Sequence, residues 1–366
     1  MLGITCKPNH FICAHWCRTL PSSCVAPSLS STRRRHNLCT PSLLPTRSNK
    51  TQAALQSNSG ESSRATTMSA ESLPSLVTPS WLKDRLGDRT LKLLDASWYM
   101  PNSGRNPQAE FRAERIPGSH FFDLDKVSDT TSDLPHMLPS PEAFAAAADA
   151  LGISNEDTVV VYDRSGIFSA PRAWWTFKVF GHSRVAVLDG GYPLWKSSGL
   201  PVDTTPMGEE QVNAAGQAAG KPPGSSKYRA QLQEPQVRAL QQVLDNVSSQ
   251  KEVVVDARGG GRFAATAPEP RAGIRGGHIP GSKNVPFDAV LSSGKFKSPE
   301  KLQKVFTEAG VDLQQPIVTS CGTGVTACVL ALAIHQVNPK AAVAVYDGSW
   351  TEWGGRSDTP IATAAS

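Results

Sequence analysis

Hydrophobic and polar positions follow two alternating patterns over most of the chain. Short apolar runs rich in β-branched residues predict buried strands, and they read VVVYD, VAVLDGG, EVVVDA and AVAVYDG. Between them lie amphipathic stretches that predict helices, such as SPEAFAAAADALGI and SPEKLQKVFTEAGV. Both helices open with Ser-Pro-Glu, which supplies an N-cap hydroxyl, a first-turn proline and an acidic residue that complements the helix dipole. Strands that alternate with helices predict an α/β fold of mostly parallel sheets flanked by helices.

Four sequence marks occur twice and in the same order, which indicates an internal duplication. LLDASW recurs as VVDARG, RIPGS as HIPGS, VVYDRSG as VTSCGTG, and VLDGG as VYDGS. Their equivalent residues, separated by 161, 163, 158 and 158 positions, are Asp95 and Asp256, Pro117 and Pro280, Asp163 and Cys321, and Asp189 and Asp347. A chain of 366 residues has room for two average domains. The repeat therefore predicts two similar α/β domains that face each other across a cleft.

The composition divides the chain into four predicted segments. Residues 1–67 form a leader, 68–203 a first domain, 204–226 a linker and 227–366 a second domain. The linker prediction depends on the stretch TTPMGEEQVNAAGQAAGKPPGSS, which has almost no large apolar residue.

The leader has the composition of an organelle import peptide. It is rich in Ser and Thr, carries the run Arg33, Arg34, Arg35, and has no acidic residue before Glu61. We expect import into mitochondria, with the chloroplast as the alternative and a shorter cytosolic form starting at Met68 as a further one. A basic arm that stays attached and binds an acidic partner is the other interpretation. No apolar run in the chain is long enough to predict a membrane span.

Removal of the leader changes the charge and the cysteine count. It holds eight Lys and Arg residues and one acidic residue, so the formal net charge of +5 becomes −2 for the remainder. A nucleic-acid partner then loses its electrostatic support. Five cysteines leave with the leader, and Cys321 and Cys328 remain. We therefore expect no disulfide framework, no metal site and no cofactor.

Cys321 lies in the run VTSCGTGVTACVL, between a predicted buried strand and a predicted helix. The carboxyl end of a parallel strand is where open α/β sheets bind ligands. Glycines and a helix N-terminus there direct amide hydrogens and positive potential at a sulfur anion. We predict a reactive Cys321 with an active-site loop of Gly322, Thr323, Gly324, Val325 and Thr326. An inert buried thiol is the alternative, and it is the interpretation preferred for Cys328.

Several motifs together resemble the two-domain rhodanese family of sulfurtransferases, and within it the 3-mercaptopyruvate sulfurtransferases of plants and algae. They are LDASWYMP, SAPRAWW, APEPR, GHIPGSKNVPF, CGTGVTAC and YDGSWTEW, which span nearly the whole chain after the leader. The resemblance implies two tandem rhodanese-like domains, the first catalytically silent, and a persulfide formed on Cys321. It implies Arg262 and Arg271 as substrate-binding residues. The implied sulfur donor is 3-mercaptopyruvate, and the implied acceptor is a thiol such as thioredoxin or glutathione, or cyanide. We expect a monomer.

The loop sequence also bears on the donor. Rhodaneses that use thiosulfate resemble one another in having cationic side chains after the cysteine, whereas Gly322 and Thr323 are neutral here. This favours 3-mercaptopyruvate, whose carboxylate needs an arginine outside the loop. Thiosulfate sulfurtransferase is the first alternative, and a noncatalytic binding or sulfide-sensing module is the second. A cysteine-loop phosphatase is disfavoured because Ala327 stands where its arginine is needed.

Two assignments are left open by the residues. The family that the chain resembles is expected to have a proton-relay histidine before the first IPG, but Arg115 stands there, so no relay is assigned. His120 and His278 are interpreted as structural. Thr326 is expected either to cap the following helix or to hydrogen-bond the sulfur anion, with no preference between the two.

Overall fold

The computed structural model describes residues 73–219 and 226–363, so the predicted leader lies outside the described residues. The first half contains, in order, β1 (Leu76–Val77), α1 (Pro79–Lys83), β2 (Leu91–Asp95), α2 (Pro107–Ala113), β3 (Ser119–Phe121), α3 (Pro141–Ala150), β4 (Thr158–Tyr162), α4 (Ala170–Val179), β5 (Val185–Leu188) and α5 (Gly191–Ser197), followed by α6 (Glu209–Ala219). The second half contains β6 (Val237–Arg238), α7 (Leu240–Ser249), β7 (Val253–Asp256), α8 (Gly260–Phe263), β8 (Lys283–Asn284), β9 (Leu291–Ser292), β10 (Lys295–Phe296), α9 (Pro299–Glu308), β11 (Ile317–Ser320), α10 (Ala327–Val337), β12 (Val343–Tyr346) and α11 (Ser349–Gly355).

Each half is built on a five-stranded parallel sheet with the same strand order. The first sheet runs β1-β5-β4-β2-β3 and the second β6-β12-β11-β7-β8, and every neighbouring pair in both is parallel. Strands β9 and β10 form a separate antiparallel pair. The identical order confirms the predicted fold class, two tandem α/β domains whose sheets are flanked by helices.

The two halves share one hydrophobic core. Helices α4 and α10, which follow the equivalent strands β4 and β11, pack against each other, and Trp174 on α4 meets His335 on α10 with ring centroids 5.8 Å apart. A single cluster of buried side chains runs from the first sheet through this helix pair into the second. Burial of this apolar surface holds the halves together without a covalent cross-link.

Two reciprocal hydrogen bonds also join the halves. The backbone N–H of Leu138 donates to Asp347 Oδ2 at 2.8 Å, and that of Phe296 donates to Asp189 Oδ1 at 3.0 Å. Both donors and both acceptors are separated by 158 positions, so the duplicated domains use the same contact in opposite directions. Each domain therefore holds a loop of the other domain, through an aspartate at the carboxyl end of its own sheet.

The predicted linker contains a helix that the sequence interpretation missed. Helix α6 packs on α3 and buries Val212 and Ala215, although residues 204–226 are poor in large apolar side chains. Small side chains let this helix pack closely in place of large apolar ones. At Gly216 there is no space for a side chain, because a Cβ would lie 2.5 Å from the Cβ of Lys126. The four segment boundaries themselves stay a prediction.

The aromatic residues that follow the two Asp-Gly sequences, at positions 189–190 and 347–348, pack in the cores. Tyr192, Trp195, Trp350 and Trp353 are all buried. The indole N–H of Trp195 donates to the Pro201 carbonyl and that of Trp353 to the Pro360 carbonyl, each at 2.7 Å. Among the described residues, no helix is long and apolar enough to cross a membrane.

Candidate active site

Cys321 lies directly after β11, at the carboxyl end of the second sheet, as predicted. Its side chain lines a cavity of about 390 Å³ between the halves and is only 2 % exposed. The first half contributes one wall of this cavity, and the second half contributes the loop and three arginines, Arg258, Arg262 and Arg271. The first-half residues are Trp98, Met100, Asn102 and Phe168. The sulfur is therefore reached through a pocket that both domains form.

The catalytic loop, defined here as residues 321–326, is held from outside by α11. The Cys321 carbonyl accepts from Trp350 N–H at 2.9 Å, and the Gly322 carbonyl accepts from the hydroxyl of Thr351 at 2.7 Å. The Cys321 N–H donates to Ser349 Oγ at 3.2 Å. These three hydrogen bonds fix the backbone of the first two loop residues against α11.

The amide hydrogens of residues 322–327 make no hydrogen bond with any other described residue. Gly324 adopts a left-handed φ of 75°, which curls the backbone around the cysteine. None of these amides is bonded to the Cys321 sulfur itself, so they are available to an anion beyond it. This row of free amides, which we call the amide cradle, fits the sequence prediction of a site for a sulfur anion.

The first half shows what such a cradle holds. Asp163, the residue equivalent to Cys321, accepts hydrogen bonds on its buried carboxylate from four backbone amides at 2.8–3.0 Å. The donors are Ser165, Phe168, Ser169 and Ala170. The first-half loop therefore fills its own cradle with a carboxylate, whereas the second-half loop leaves it open.

We expect Asp163→Ala to lower the free energy of unfolding by about 2–4 kcal/mol, because four buried amides would lose their acceptor. Urea denaturation measures the effect. Asp133→Ala is the control, since Asp133 is exposed and should change stability by less than about 0.5 kcal/mol. Equal losses in the two variants would contradict a filled cradle.

Both predicted substrate arginines line the cavity with Cys321. Arg262, on α8, lies over the loop, with Nη2 3.3 Å from the position that a Cβ on Gly322 would occupy. Arg271 is half-buried and makes no hydrogen bond or ion pair with the described residues. Burial, together with the positive charge of Arg262, lowers the pKa of Arg271. The geometry brings two cations to one side of the thiol, and Arg271 has no internal carboxylate to neutralise it.

An ion-pair network that the sequence interpretation missed holds Arg262 in place. Glu269, from the APEPR motif, accepts from Arg262 Nη2 at 2.5 Å and from Arg258 Nη1 at 2.8 Å. Arg258 is itself buried against Asp256, at 2.7 Å, and lies 4.2 Å from the centre of the Trp350 ring. Two carboxylates thus balance two arginines, and Arg271 is left to face the cavity.

A histidine from the first half reaches the catalytic loop and was also missed. His136 is buried, with Nδ1 3.1 Å from Thr323 Oγ1 and Nε2 3.0 Å from Asp125 Oδ1. Because the carboxylate can only accept, Nε2 carries the proton and Nδ1 is free to accept from the Thr323 hydroxyl. The Trp98 indole N–H also donates to Asp125 Oδ1, at 3.0 Å. Aspartate, histidine and threonine form a hydrogen-bonded chain that ends beside Cys321.

The electrostatics of this chain favour a charged aspartate. Partial desolvation raises the pKa of Asp125, but hydrogen bonds from His136 and Trp98 outweigh it, so the pKa lies below its usual value. The side chain of Asp125 remains 63 % exposed, whereas that of His136 is 2 % exposed. His136 therefore links a solvated carboxylate to a buried hydroxyl.

The remaining sequence candidates lie away from the sulfur or serve packing. Arg115 is buried against Asp203 at 2.7 Å, and exposed His120 lines a separate cavity of about 410 Å³. The histidine that contacts a hydroxyl of the loop is His136, not the residue before IPG. His278 stacks on Phe263 with ring centroids 3.8 Å apart, in agreement with the structural interpretation.

Two more residues at the end of the loop, Thr326 and Cys328, have roles that the sequence analysis discussed. Thr326 occupies the N-cap position of α10, but its side chain makes no capping hydrogen bond and lines the cavity instead. Cys328 is fully buried, donates through Sγ to the Gly324 carbonyl at 3.2 Å, and has its pKa raised by burial. The prediction that Cys328 is a core residue agrees with this environment.

Comparison with known proteins gives a consistent family assignment. The rhodanese-like domain matches residues 78–198 and 239–356. The chain is 47 % identical to thiosulfate/3-mercaptopyruvate sulfurtransferase 1, mitochondrial, of Arabidopsis thaliana, over 82 % of this chain and 81 % of that protein. It is 46 % identical to the 3-mercaptopyruvate sulfurtransferase of Rattus norvegicus, over 76 % of this chain and 91 % of that one.

The fold also matches a solved structure of the same kind. SseA of Escherichia coli, described as a 3-mercaptopyruvate sulfotransferase with the rhodanese fold, superposes with a TM-score of 0.65 at 35 % identity. The match covers 75 % of this chain and 98 % of SseA. Two matched domains, a shared strand order and relatives well above 30 % identity lead to one conclusion: the chain belongs to the rhodanese family.

Proposed function

We propose that this protein is a sulfurtransferase that takes sulfur from 3-mercaptopyruvate, holds it as a persulfide on Cys321 and passes it to an acceptor thiol. The observation that carries the proposal is the shared cavity. It contains a buried thiol, an open amide cradle for a second sulfur, and an arginine with no internal partner. The proposal includes a monomer as the active form.

In the first half-reaction, the Cys321 thiolate attacks the donor sulfur and forms an S–S bond. The carbon–sulfur bond breaks, and its electron pair leaves with the three-carbon fragment as the enolate of pyruvate. The proton lost from the Cys321 thiol passes to the Thr323–His136 pair, and returning it to the enolate carbon gives pyruvate. The products are a Cys321 persulfide and pyruvate, so atoms and charge balance.

The neutral loop and the arginines account for donor recognition. The donor carboxylate pairs with Arg271, and Arg262 donates to the ketone oxygen, where negative charge develops as the enolate forms. Trp98, Met100 and Phe168 give the opposite wall an apolar surface for the methylene. A compact dianion such as thiosulfate would find no cation within the loop itself.

In the second half-reaction, an acceptor thiolate attacks the outer sulfur of the persulfide. That sulfur lies in the amide cradle, where the N–H groups of residues 322–327 stabilise its charge until transfer. The S–S bond breaks, the acceptor carries the sulfur away, and Cys321 returns as a thiolate. Thioredoxin, glutathione or cyanide would serve as acceptor.

Arg271→Gln should raise KM for 3-mercaptopyruvate about 10- to 100-fold, because a charge-assisted hydrogen bond to the carboxylate is lost. We expect kcat to fall less than tenfold. Steady-state pyruvate release by the full chain measures both, and Arg356→Gln, which changes an exposed arginine paired with Asp358, should alter neither.

The same assay with thiosulfate separates the alternatives. Faster turnover with thiosulfate than with 3-mercaptopyruvate would favour thiosulfate sulfurtransferase, a name that the Arabidopsis relative also carries. Absence of turnover with either donor would favour a noncatalytic binding module.

We also propose import into mitochondria, with residues 1–67 as the cleaved leader. The basic, acid-poor composition of that segment supports this proposal, as does the mitochondrial name of the Arabidopsis relative. N-terminal sequencing of the protein isolated from fractionated organelles tests it. A mature form that starts near Met68 in the cytosol, or in chloroplasts, would contradict it.

A further inference from the structure

Arg172 is a buried arginine that the silent half inserts beside the catalytic loop. It lies in the first turn of α4, and its side chain is 2 % exposed. The guanidinium leaves no room for a side chain on Gly324, because a Cβ there would lie 2.6 Å from Arg172 Nη1. The glycine at position 324 is thus required by this arginine as well as by its backbone angle.

The guanidinium contacts three segments at once. Its Nη1 pairs with Asp347 Oδ1 at 2.7 Å and donates to the Gly324 carbonyl at 3.4 Å. Its Nη2 donates to the carbonyl of His136. Each segment belongs to the site: the catalytic loop, the end of β12, and the loop that carries the histidine.

We propose that Arg172 is a positioning residue for sulfur transfer. It fixes His136 opposite Thr323 and lends its positive charge to a sulfur anion on Cys321. The silent half thus supplies the group that aligns the active half, besides one wall of the cavity. This inference deepens the proposed function and rests on it for the identity of the donor.

The chemistry of the side chain fits that role. A guanidinium presents five N–H donors in a rigid plane, so it can satisfy one carboxylate and two carbonyls in different directions, whereas a lysine ammonium cannot match that geometry. Stacking on Trp175, at 4.6 Å from the ring centre, fixes the plane.

Arg172 stays charged beside the catalytic loop. Burial would lower the pKa of Arg172, but the attraction of negative charge, above all that of Asp347, outweighs burial and raises it. The other charged groups around this loop are Asp347, Arg258, Arg262, Arg271 and the His136–Asp125 pair. Arg172 is not among the residues that line the cavity.

The test compares two conservative changes in the full chain, Arg172→Lys and Arg164→Lys. Arg164 is the matched control: it lies in the loop of the silent half, its side chain is 4 % exposed, and it pairs with buried Asp95 at 3.0 Å. Both changes disturb a buried arginine–aspartate pair, so both should reduce stability. Thermal melting of each variant shows whether the two changes lower Tm by similar amounts.

We expect Arg172→Lys to lower kcat for 3-mercaptopyruvate about 10- to 100-fold with KM within about threefold. We also expect the pH midpoint for alkylation of Cys321 by iodoacetamide to rise, because a lysine keeps its charge against Asp347 and cannot also reach the Gly324 carbonyl of the catalytic loop. The alkylated peptide is quantified by mass spectrometry, which separates Cys321 from the other cysteines. Arg164→Lys should leave both quantities unchanged.

Two results would overturn the inference: a kcat loss no larger than that of Arg164→Lys, or an unmoved alkylation midpoint. If Arg172→Lys does not fold, the double variant Arg172→Met, Asp347→Asn replaces it, since it leaves no unpaired buried charge. That variant should show the same loss of kcat, because a methionine cannot hold the carbonyls of Gly324 and His136, and an unchanged kcat would equally reject the role. Alkylation needs no sulfur donor, so a wrong donor assignment would abolish turnover while leaving the midpoint comparison intact.

Discussion

Cys321→Ser is expected to abolish sulfur transfer, with kcat/KM for 3-mercaptopyruvate reduced by at least about 10⁴-fold. A serine hydroxyl is not ionised near neutral pH and cannot carry a persulfide, so neither half-reaction can proceed. Pyruvate release measures the loss of the first step. Mass spectrometry of the protein after a single exposure to the donor measures the persulfide, as one added sulfur atom on the peptide that contains residue 321.

Cys328→Ser is the matched control, since both cysteines lie in the same eight-residue stretch. Cys328 donates from a fully buried thiol to the Gly324 carbonyl, and a serine hydroxyl can make the same bond. We expect activity within about threefold of the original protein. Appreciable turnover by Cys321→Ser, or the added sulfur on Cys328, would refute the assignment of the nucleophile.

Local sequence is sufficient to predict the catalytic loop because its determinants are local. The strand, the cysteine, the glycines and the helix follow one another within 21 residues, and Gly324 indeed adopts the left-handed backbone that the loop needs. Comparison of the repeats adds Asp163, whose carboxylate occupies the equivalent cradle. The sequence predicts inward-facing amides, but not that α11 anchors the carbonyls of Cys321 and Gly322, because that helix comes much later in the chain.

Local sequence does not predict the side chains that the first half contributes to the active site. His136 meets Thr323 across 187 positions, and Arg172 meets Gly324 across 152. Neither residue is singled out by a helical or strand periodicity. In the sequence each is an ordinary polar residue, and only the packing of the two domains brings it to the loop. Helix α6 was missed for a related reason, because tight packing on Gly216 and Ala215 replaces the apolar bulk that sequence patterns detect.

Comparison of the two repeats gives one indication that His136 has a functional role. His136 adopts a left-handed φ of 65°, which is uncommon for residues other than glycine, and position 294, which lies 158 residues further on, is Gly294 with φ 74°. The same turn has glycine in the second half and histidine in the first, and the histidine strains the backbone there. Strain retained at a single side chain that points to the catalytic loop indicates function rather than packing.

His136→Gly should therefore separate activity from folding. We expect kcat to fall about 10²- to 10³-fold, because the Thr323 hydroxyl loses its proton acceptor. The variant also removes the packing of the imidazole against Trp98, where the ring centroids lie 4.8 Å apart. Relief of the left-handed angle, worth about 1 kcal/mol, should offset part of that destabilisation. Pyruvate release and urea denaturation measure the two quantities.

Ser293→Gly is the control for the backbone change, since Ser293 has a left-handed φ of 50° on an exposed turn next to Gly294. It should leave kcat unchanged and preserve or slightly increase stability. His136→Asn supplies the complementary comparison, because asparagine tolerates the left-handed angle but has no ring nitrogen to accept the proton. If His136→Gly retains kcat within about threefold, the histidine serves packing alone, and the proton released from Cys321 must reach the enolate by another route.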